Sequence, residues 1–421
     1  ELRLQRLTQI GVKEVTDELQ ELAGKIREYL EILASRDRTM SIIRTELEEV
    51  KEQFAVPRRT EIVEWSGDME DEDLIEREDM VVTITAGGYI KRTPLADFRA
   101  QRRGGKGLSG MQTKDEDVVT TLFVANTHTQ LLFFTTDGMA YKLKTWRLPQ
   151  GGRTAKGKAI VNILPIPTGV SIAAIMPVDV PEEEWNNLQI IFATSAGDVR
   201  RNALSDFTNV RSNGKIAMDL PEGIELVNAR ITGEDDDVML FTNSGRAIRF
   251  STTDVRVFKG RKSTGVRGIR LMGEDRVVSM SIIRHFDATS DERDAYLKMR
   301  RAIAGMVDEE GSSDEEGVSE NATISQERYA EMSAAENLIL TITKGGSGKL
   351  SSSHDYPVRG RGGMGVAAMD KAMRGGEIVA SFPVELQDQI MLVTSKGQSI
   401  RVPVDGISFR SRSAGGVRVF N

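Results

Sequence analysis

Basic residues recur at one fixed position along this chain of 421 residues. Six copies of Thr-x-x-Gly define six units, whose glycines are Gly88, Gly138, Gly197, Gly245, Gly346 and Gly397. The residues four positions after these glycines are Arg92, Lys142, Arg201, Arg249, Leu350 and Arg401. We call the five basic ones the strand cations. A cation at the same point of almost every unit predicts a stripe of positive charge, suited to binding the phosphates of a polyanion.

A second group of cations lies in loops rich in Gly, Arg and Lys, one after each hairpin. The first loop, which we call the box, is Gln101, Arg102, Arg103, Gly104, Gly105, Lys106 and Gly107. The cations of the five box-like loops, here the loop cations, are Arg153, Lys156, Arg211, Lys215, Arg261, Lys262, Arg359, Arg361, Arg410 and Arg412. Glycine lets backbone N–H groups approach a phosphate, and Arg can grip it with two donors. Charge persists while the loop sequence drifts, which indicates phosphate contact rather than base reading.

The elements that must position these cations follow from the repeat. The copies are separated by 50, 59, 48, 101 and 51 residues, so the long interval holds two repeats or one repeat plus an insertion. In each unit an apolar run precedes the Thr-x-x-Gly turn, and a second strand carries the strand cation. Six four-stranded units predict a mainly β fold over residues 81–421, built as a closed, six-bladed, propeller-like ring.

Helices are predicted outside these units. Apolar residues at spacings of three and four predict helices over 11–34 and 38–54, which form the coiled-coil end of a helical region over 1–54. Residues 55–80 are an acidic linker. The insertion, 285–337, is predicted to protrude from the ring: Thr289 and Glu292 form the capping box of one helix, a second follows Ser325, and the acidic stretch between them is disordered.

The net charge of −7 hides opposite charges in different segments. Residues 1–80 carry a net charge of −10 and residues 285–337 of −9, whereas the remainder holds 39 basic and 27 acidic residues. A basic repeat body is expected to bind nucleic acid. The chain has no cysteine and three widely separated histidines, so we expect no disulfide and no metal site. We also expect no signal peptide and no membrane partner.

Two motifs imitate sites of chemistry. Residues 345–351 resemble a phosphate loop, but Thr343 and Leu350 break the pattern, so the segment is expected to be the turn of unit 5. Arg328 and Tyr329 form the one Arg-Tyr pair of the chain, inside the acidic insertion. We expect neither to be catalytic, and the acidic clusters are expected to be solvated turns. These motif patterns therefore predict a binding module without catalytic residues.

The seven residues of the box give the strongest family resemblance. This sequence, QRRGGKG, resembles the identifying box of the C-terminal DNA-wrapping domain of the bacterial DNA gyrase A subunit, and it stands in the first repeat, as in that family. The stretches LRLQRLT and RRTEIVE also resemble that protein, where helices leave its DNA-cleavage core. The resemblance covers nearly the whole chain apart from the insertion.

The resemblance implies a six-bladed β-pinwheel that binds and bends duplex DNA. In this family the gyrase A subunit forms a homodimer and joins the gyrase B subunit in an A2B2 enzyme, an ATP-dependent type IIA topoisomerase that introduces negative supercoils. ATP and Mg²⁺ would serve the whole enzyme, and this fragment would need no cofactor. The cleavage Tyr belongs to the upstream core, so the fragment itself would be non-catalytic. A cytoplasmic, nucleoid-associated location is implied.

Two other functions fit parts of the pattern. The A subunit of topoisomerase IV has a related pinwheel, but typically a degenerate box and often fewer blades, so the intact box argues against it. The ring could also be a protein-interaction propeller. Binding to DNA should weaken steeply with salt, whereas an apolar protein interface should not.

Overall fold

The computed structural model describes residues 9–56, 60, 71–97, 119–303, 323–370, 375–393 and 399–419. The chain divides into two compact parts, Glu1–Met69 and Glu70–Asn421. Both predicted helices are present in the first part, as α1 (Gln9–Ala34) and α2 (Arg36–Phe54). Ser35 separates them and caps α2, because its Oγ accepts a hydrogen bond of 3.3 Å from the Arg38 N–H. In the described residues no helix is long and apolar enough to cross a membrane.

Six antiparallel hairpins form the second part, one for each sequence unit. Their first strands are β1 (Asp79–Thr85), β4 (Gln130–Thr135), β8 (Gln189–Thr194), β12 (Asp236–Thr242), β17 (Leu338–Thr343) and β21 (Gln389–Val393). Their second strands are β2 (Tyr89–Pro94), β5 (Met139–Lys144), β9 (Asp198–Ala203), β13 (Arg246–Ser251), β18 (Ser347–Ser352) and β22 (Ser399–Pro403). The mainly β fold predicted from the repeats is therefore confirmed.

The Thr-x-x-Gly motif builds the turn of each described hairpin. Gly138 has a φ of 82°, a conformation that favours glycine, and its N–H donates to the Thr135 carbonyl. The buried Thr135 hydroxyl accepts a hydrogen bond of 3.2 Å from the Met139 N–H, and units 1, 3, 4 and 5 repeat this contact. Thr and Gly are thus structural residues, as predicted for these turns. The sixth turn, Thr394 to Gly397, lies outside the described residues.

A third strand pairs antiparallel with the first strand of each of units 1 to 5. These inner strands are β3 (Val119–Asn126), β7 (Ile172–Val178), β11 (Leu226–Thr232), β16 (Val277–Arg284) and β20 (Ile378–Val384). Neighbouring inner strands from β7 to β20 lie side by side in chain order. This succession of sheets around their inner strands is the arrangement of propeller blades.

The fourth strand of each of these sheets comes from the next unit, which the repeat pattern did not reveal. These outer strands are β6 (Lys158–Ala159), β10 (Lys215–Ile216), β14 (Val257–Phe258) with β15 (Val266–Arg267), β19 (Val366–Ala367) and β23 (Val417–Arg418). For example, Lys158 of unit 2 pairs with Ile90 of unit 1. Each box-like loop therefore crosses from its own unit onto the hairpin before it. Within the described ranges, β21 and β22 pair only with each other.

The core lies between successive sheets. Alternate residues of β4 face opposite neighbours, so Leu132 and Phe134 pack toward unit 3 while Leu131 and Phe133 pack toward unit 1. Phe134 meets Phe192 of unit 3 edge-to-face, with 5.3 Å between ring centroids. Because both faces of the first strands of units 1 to 5 are buried, these strands are mostly apolar runs in the sequence.

The insertion contains both predicted helices, α3 (Ser290–Ile303) and α4 (Gln326–Ala335). The capping box is present, because the Glu292 N–H donates to the Thr289 Oγ1 over 3.2 Å and the Thr289 N–H donates to the Glu292 carboxylate over 2.9 Å. Ser325 caps α4 through the Arg328 N–H. The acidic stretch at 308–317 lies outside the described residues.

The helices of the insertion pack against unit 5, which corrects the expectation that the insertion simply protrudes. Tyr296, Leu297 and Met332 form a buried cluster. The ring of His354, in the turn after β18, lies 5.1 Å from the Tyr296 ring, and its Nε2 is 2.8 Å from the Met332 carbonyl oxygen. The sequence shows the helices but not their packing partner, because His354 lies outside the insertion in sequence.

Replacing Tyr296 by Ala should detach the helices from unit 5 while the sheets remain folded. The Tyr296 side chain is fully buried, and removing an aromatic core residue costs about 3–5 kcal/mol. Hydrogen exchange should show faster exchange in α3 and α4, with the strands protected as in the parent chain. Lys298→Ala, at an exposed position of the same helix, is the matched control. Equal loss of protection throughout the sheets would contradict this separation.

His285, the first residue of the insertion, should make the free energy of unfolding depend on pH. Its imidazole lies 2.9 Å from the Asp287 carboxylate and 2.8 Å from that of Asp237, and these hydrogen bonds raise its pKa. A group whose pKa is raised by folding stabilises the fold below its unfolded pKa, and this contribution is lost as pH rises through the folded value. His285→Gln should therefore lower the free energy of unfolding more at about pH 6 than at about pH 9. An equal loss at both values would contradict this assignment.

Candidate nucleic-acid interface

The strand cations lie where the box-like loops cross the preceding hairpin. The backbone of Arg92 bridges to Gln150, that of Arg249 to Val358, and that of Leu350 to Phe409. Arg201 pairs with Val257 of unit 4 in the same way. The backbones of Arg92, Arg201 and Arg249 therefore lie beside the box-like loops, and the role of these residues in binding DNA stays a prediction.

The side chains of the strand cations are largely turned to internal partners. Arg249 is 4% exposed, and its Nε and Nη2 each lie 2.8 Å from an Asp237 carboxylate oxygen. Arg201 is 6% exposed, and its Nη1 donates to the Gln189 amide oxygen over 2.9 Å. Burial lowers the pKa of both guanidinium groups. A buried charge needs such partners, so the expectation that these two form an open edge is corrected.

Arg92 and Lys142 are half-buried and also bonded within the fold. The Arg92 Nε donates to the Leu148 carbonyl over 2.9 Å, at the start of the loop of unit 2. The Lys142 Nζ lies 2.7 Å from the Glu182 carboxylate and also donates to the Thr208 carbonyl. Arg401 lies opposite Met391 in the last hairpin, and its side chain is outside the described structure. Neither the sequence around a strand cation nor its place in the repeat shows whether its side chain is buried or half-buried.

The loop cations fall into three groups. Four are exposed, and these are Arg211, Lys262, Arg359 and Arg361. Five are half-buried, and these are Arg153, Lys156, Lys215, Arg261 and Arg410. Arg412 is 7% exposed and its Nε donates to the Asp355 carbonyl over 2.9 Å, so its prediction as an open contact is corrected. The box itself, Gln101 to Gly107, lies outside the described residues, and its role stays a prediction.

Glycine ends three of the loops at points where the chain passes directly over another backbone. Gly265 has a φ of 93°, and a Cβ atom on it would lie 2.2 Å from the Val199 carbonyl oxygen. Gly157 and Gly365 meet the carbonyls of Ile90 and Ala247 in the same way. This close approach explains why glycine stays fixed in loops whose other residues drift.

Four cations from three units gather around one cavity of about 740 Å³. They are Lys142 of unit 2, Arg211 and Lys215 of unit 3, and Arg261 of unit 4. Burial, followed by the positive charge of Arg261, lowers the pKa of the Lys215 ammonium. Such mutual repulsion would be relieved by an anion, so this cluster is suited to one or more phosphate groups.

The structure adds cations that were missing from the predicted set. Lys158, Arg267 and Arg418 are exposed on outer strands, one or two residues after the last glycine of their loops. Arg147 stacks on Trp146 and Arg256 on Phe258, with 4.5 and 4.3 Å between the guanidinium carbon and the ring centre. Lys158, Arg267 and Arg418 could have been found from their distance to the last glycine of the loop. That distance identifies an exposed cation only when the outer strands are known.

The motifs that imitate catalytic sites have structural roles. Residues 345–351 form the hairpin of unit 5, and Lys349 is fully buried there. Tyr329 lies in α4, with its ring 5.0 Å from the Tyr296 ring. Across the described part of the chain, no three His, Asp or Glu side chains group as metal ligands do.

The fold and its basic loops define a β-propeller with a cationic face. The family model described as "DNA gyrase C-terminal domain, beta-propeller" matches residues 79–126, 129–179, 189–232, 236–284, 337–385 and 388–421. The chain therefore belongs to the DNA gyrase C-terminal domain family. The match stops at Arg284 and resumes at Asn337, so residues 285–336 lie outside it.

Individual relatives agree with this assignment. The chain is 46% identical to the DNA gyrase A subunit of Granulibacter bethesdensis and 44% identical to that of Rickettsia bellii, in both cases over 100% of this chain and 46% of the relative. The chain thus spans about half the length of these relatives. Its fold is similar to the solved C-terminal domain of DNA topoisomerase IV, with a TM-score of 0.59 and 22% identity over 82% of this chain and 90% of that one. It is also similar to the solved C-terminal domain of DNA gyrase A, with a TM-score of 0.56 and 21% identity over 82% of this chain and 95% of that one.

Replacing Arg211 and Arg261 by Ala should weaken duplex binding equally on unrelated sequences. Each phosphate contact that is removed should lower the slope of log K against log salt by about 0.9, because fewer counterions are released. Fluorescence anisotropy on two short duplexes across a salt series measures both effects. Arg276→Ala removes an exposed cation from a different cavity and is the matched control. Weaker binding to one duplex alone would argue for base reading instead.

Proposed function

We propose that this chain is the DNA-wrapping part of a DNA gyrase A subunit. The observation that carries the proposal is the cluster of Lys142, Arg211, Lys215 and Arg261, in which three successive units place cations around one cavity. Because units 2 to 6 each bring their loop onto the preceding hairpin, loop cations recur along the propeller. A curved series of phosphate contacts is what a protein needs to hold bent DNA without reading bases.

The number of contacts matters because duplex DNA is stiff. Its persistence length is about 50 nm, so bending it around a small domain must be offset by many phosphate contacts. The internal bonds of Arg201, Arg249 and Arg412 remove these side chains from the available set. The exposed loop cations, the half-buried cations of the cluster and the outer-strand residues Lys158 and Arg267 therefore supply the charge in our proposal.

We further propose that the chain acts within a larger enzyme. By its family, the complete gyrase A protein would form a homodimer that joins two copies of the gyrase B subunit, and ATP and Mg²⁺ would serve the whole enzyme in introducing negative supercoils. The cleavage Tyr would belong to the part of the A protein that this chain does not span. The fragment would bind and direct DNA without catalysing a reaction, in the cytoplasm at the nucleoid.

The alternatives are separated by two features. The likeness to the topoisomerase IV domain concerns the fold, whereas the intact box and the match of all six units favour gyrase. A protein-interaction propeller would not require cations from three units around one cavity. Binding by such a propeller through an apolar interface would also not weaken steeply with salt. The salt series of binding measurements therefore separates this alternative from DNA binding as well.

Replacing Arg102, Arg103 and Lys106 by Ala should abolish the closed wrap while reducing affinity only modestly. These are three of the 39 basic residues outside the two acidic segments, so most phosphate contacts remain. Nicked circular DNA is ligated while bound to the full chain, and the change in linking number is measured. The parent chain should shift the linking number, whereas the box variant should not.

The matched control removes the same charge elsewhere, through Lys262→Ala, Arg359→Ala and Arg361→Ala. This variant should keep part of the linking change if the box directs the DNA path beyond adding charge. In enzyme reconstituted with the rest of the gyrase A protein and with the gyrase B protein, the box variant should relax DNA but not supercoil it. Supercoiling at the parent rate would reduce the box to an ordinary turn.

A further inference from the structure

Three buried cations lie beneath the box-like loops, one residue before the strand-cation position. They are Lys91, Arg200 and Lys349, each three residues after the glycine of units 1, 3 and 5. Lys91 is 2% exposed, and the other two are fully buried. Burial lowers the pKa of the Arg200 guanidinium to about 10. A cation is costly to bury, so its recurrence at this position needs a reason.

Each of these cations binds backbone carbonyls of the loop of the next unit. Arg200 donates to the carbonyls of Gly260, Arg261 and Ser263 over 2.6, 2.7 and 2.6 Å, respectively. Asn202, also fully buried, supports it, because its Oδ1 accepts from the Arg200 Nε over 2.9 Å and its Nδ2 donates to the Gly260 carbonyl over 3.2 Å.

The other two buried cations repeat this arrangement with a different side chain. Lys349 donates to the carbonyls of Ser411, Arg412 and Ala414, and Lys91 to those of Gly152 and Arg153. Converging carbonyl oxygens repel one another unless a donor group lies between them. The loops of units 2, 4 and 6 can therefore keep this shape only around hydrogen-bond donors, which here are the side chains of Lys91, Arg200 and Lys349.

The inward carbonyls fix the direction of the rest of the loop. In a trans peptide the C=O and N–H point to opposite sides, so the N–H groups of Arg261, Lys262 and Thr264 face away from Arg200. In unit 6 the equivalent Arg412 N–H donates to the Asp355 carboxylate over 2.6 Å, which shows that this side of the loop accepts an anionic group. Lys262 is exposed, as a phosphate contact requires.

We propose that Lys91, Arg200 and Lys349 are positioning residues for phosphate binding. Each draws the carbonyls of the following loop inward without touching DNA itself, and in units 2 and 4 this presents the N–H groups and charged side chains of the loop to DNA. In unit 6 Arg412 is bound to Asp355 and is not presented in this way. This inference rests on the proposed function. It also divides the propeller into two kinds of loop, because the equivalent positions of units 2 and 4 are Tyr141 and Ile248.

Arg200→Met in the full 421-residue chain tests the proposal. Duplex binding, followed by fluorescence anisotropy over a salt series, should weaken by about tenfold, with the salt slope lowered by about 1 to 2 as the loop moves away from the phosphates. Arg200→Lys should restore most of the affinity, since Lys349 holds three carbonyls at the same position. Ile248→Met, a change of similar volume at the equivalent buried position, should leave binding unchanged.

A double-mutant cycle separates positioning from simple loss of charge. In a chain that already carries Arg261→Ala and Lys262→Ala, Arg200→Met should cause a much smaller further loss, because the charged side chains it positions are gone and only the backbone N–H groups remain. If Arg200→Met binds as the parent does while the loop variant binds weakly, the proposal is wrong and the proposed function stands. If the parent chain itself does not bind duplex DNA, the proposed function fails first.

Thermal unfolding followed by circular dichroism accompanies each variant. Should Arg200→Met fail to fold, the same cycle is run with Lys91→Met against Arg153→Ala and Lys156→Ala. Loss of folding in both would show that the buried cations stabilise the propeller as a whole, and would overturn the positioning role.

Discussion

The exchange of outer strands between units is the constraint on which the rest of this structure depends. A three-stranded sheet leaves the edge of its second strand unpaired, and here the next unit covers that edge with two residues such as Lys158 and Ala159. To reach it, the chain must leave its own hairpin, cross the preceding one and pass over a carbonyl at Gly157, Gly265 or Gly365. The loops are therefore held between two units, and their cations inherit a fixed position.

This constraint also explains why cations serve two purposes in the propeller. Where the loop meets the hairpin, backbone carbonyls and carboxylates are close and buried, so Arg200, Arg249 and Lys349 stabilise the crossing from within. On the outer side of the loop held by Arg200, Lys262 faces solvent. A positive residue near the crossing is thus no sign of nucleic-acid contact by itself. Its depth decides which of the two roles it has.

The two helices of the insertion are anchored to the units that follow them in the chain. The Tyr296 ring of the insertion contacts the His354 ring. The Arg300 Nε lies 3.2 Å from a carboxylate oxygen of Glu336 in an ion pair. The Arg300 guanidinium also stacks on Phe409 of unit 6, with 4.8 Å to the ring centre. Apolar packing therefore fixes the position of the helices, and charge is balanced locally.

The sequence by itself determined the repeat, the hairpins, the glycine turns, the insertion and the family, because these are properties of neighbouring residues or of a fixed period. The box was recognised in the same way. Only the tertiary structure decided which cations are open, because burial depends on the partner that another unit brings. The Ser353 carbonyl lies 104 residues from Arg249, and Gly260 lies 60 residues from Arg200. No local sequence pattern identifies such pairs. The outer strands that bring the two units together are only two residues long, so they can be recognised only when the hairpin with which they pair is known.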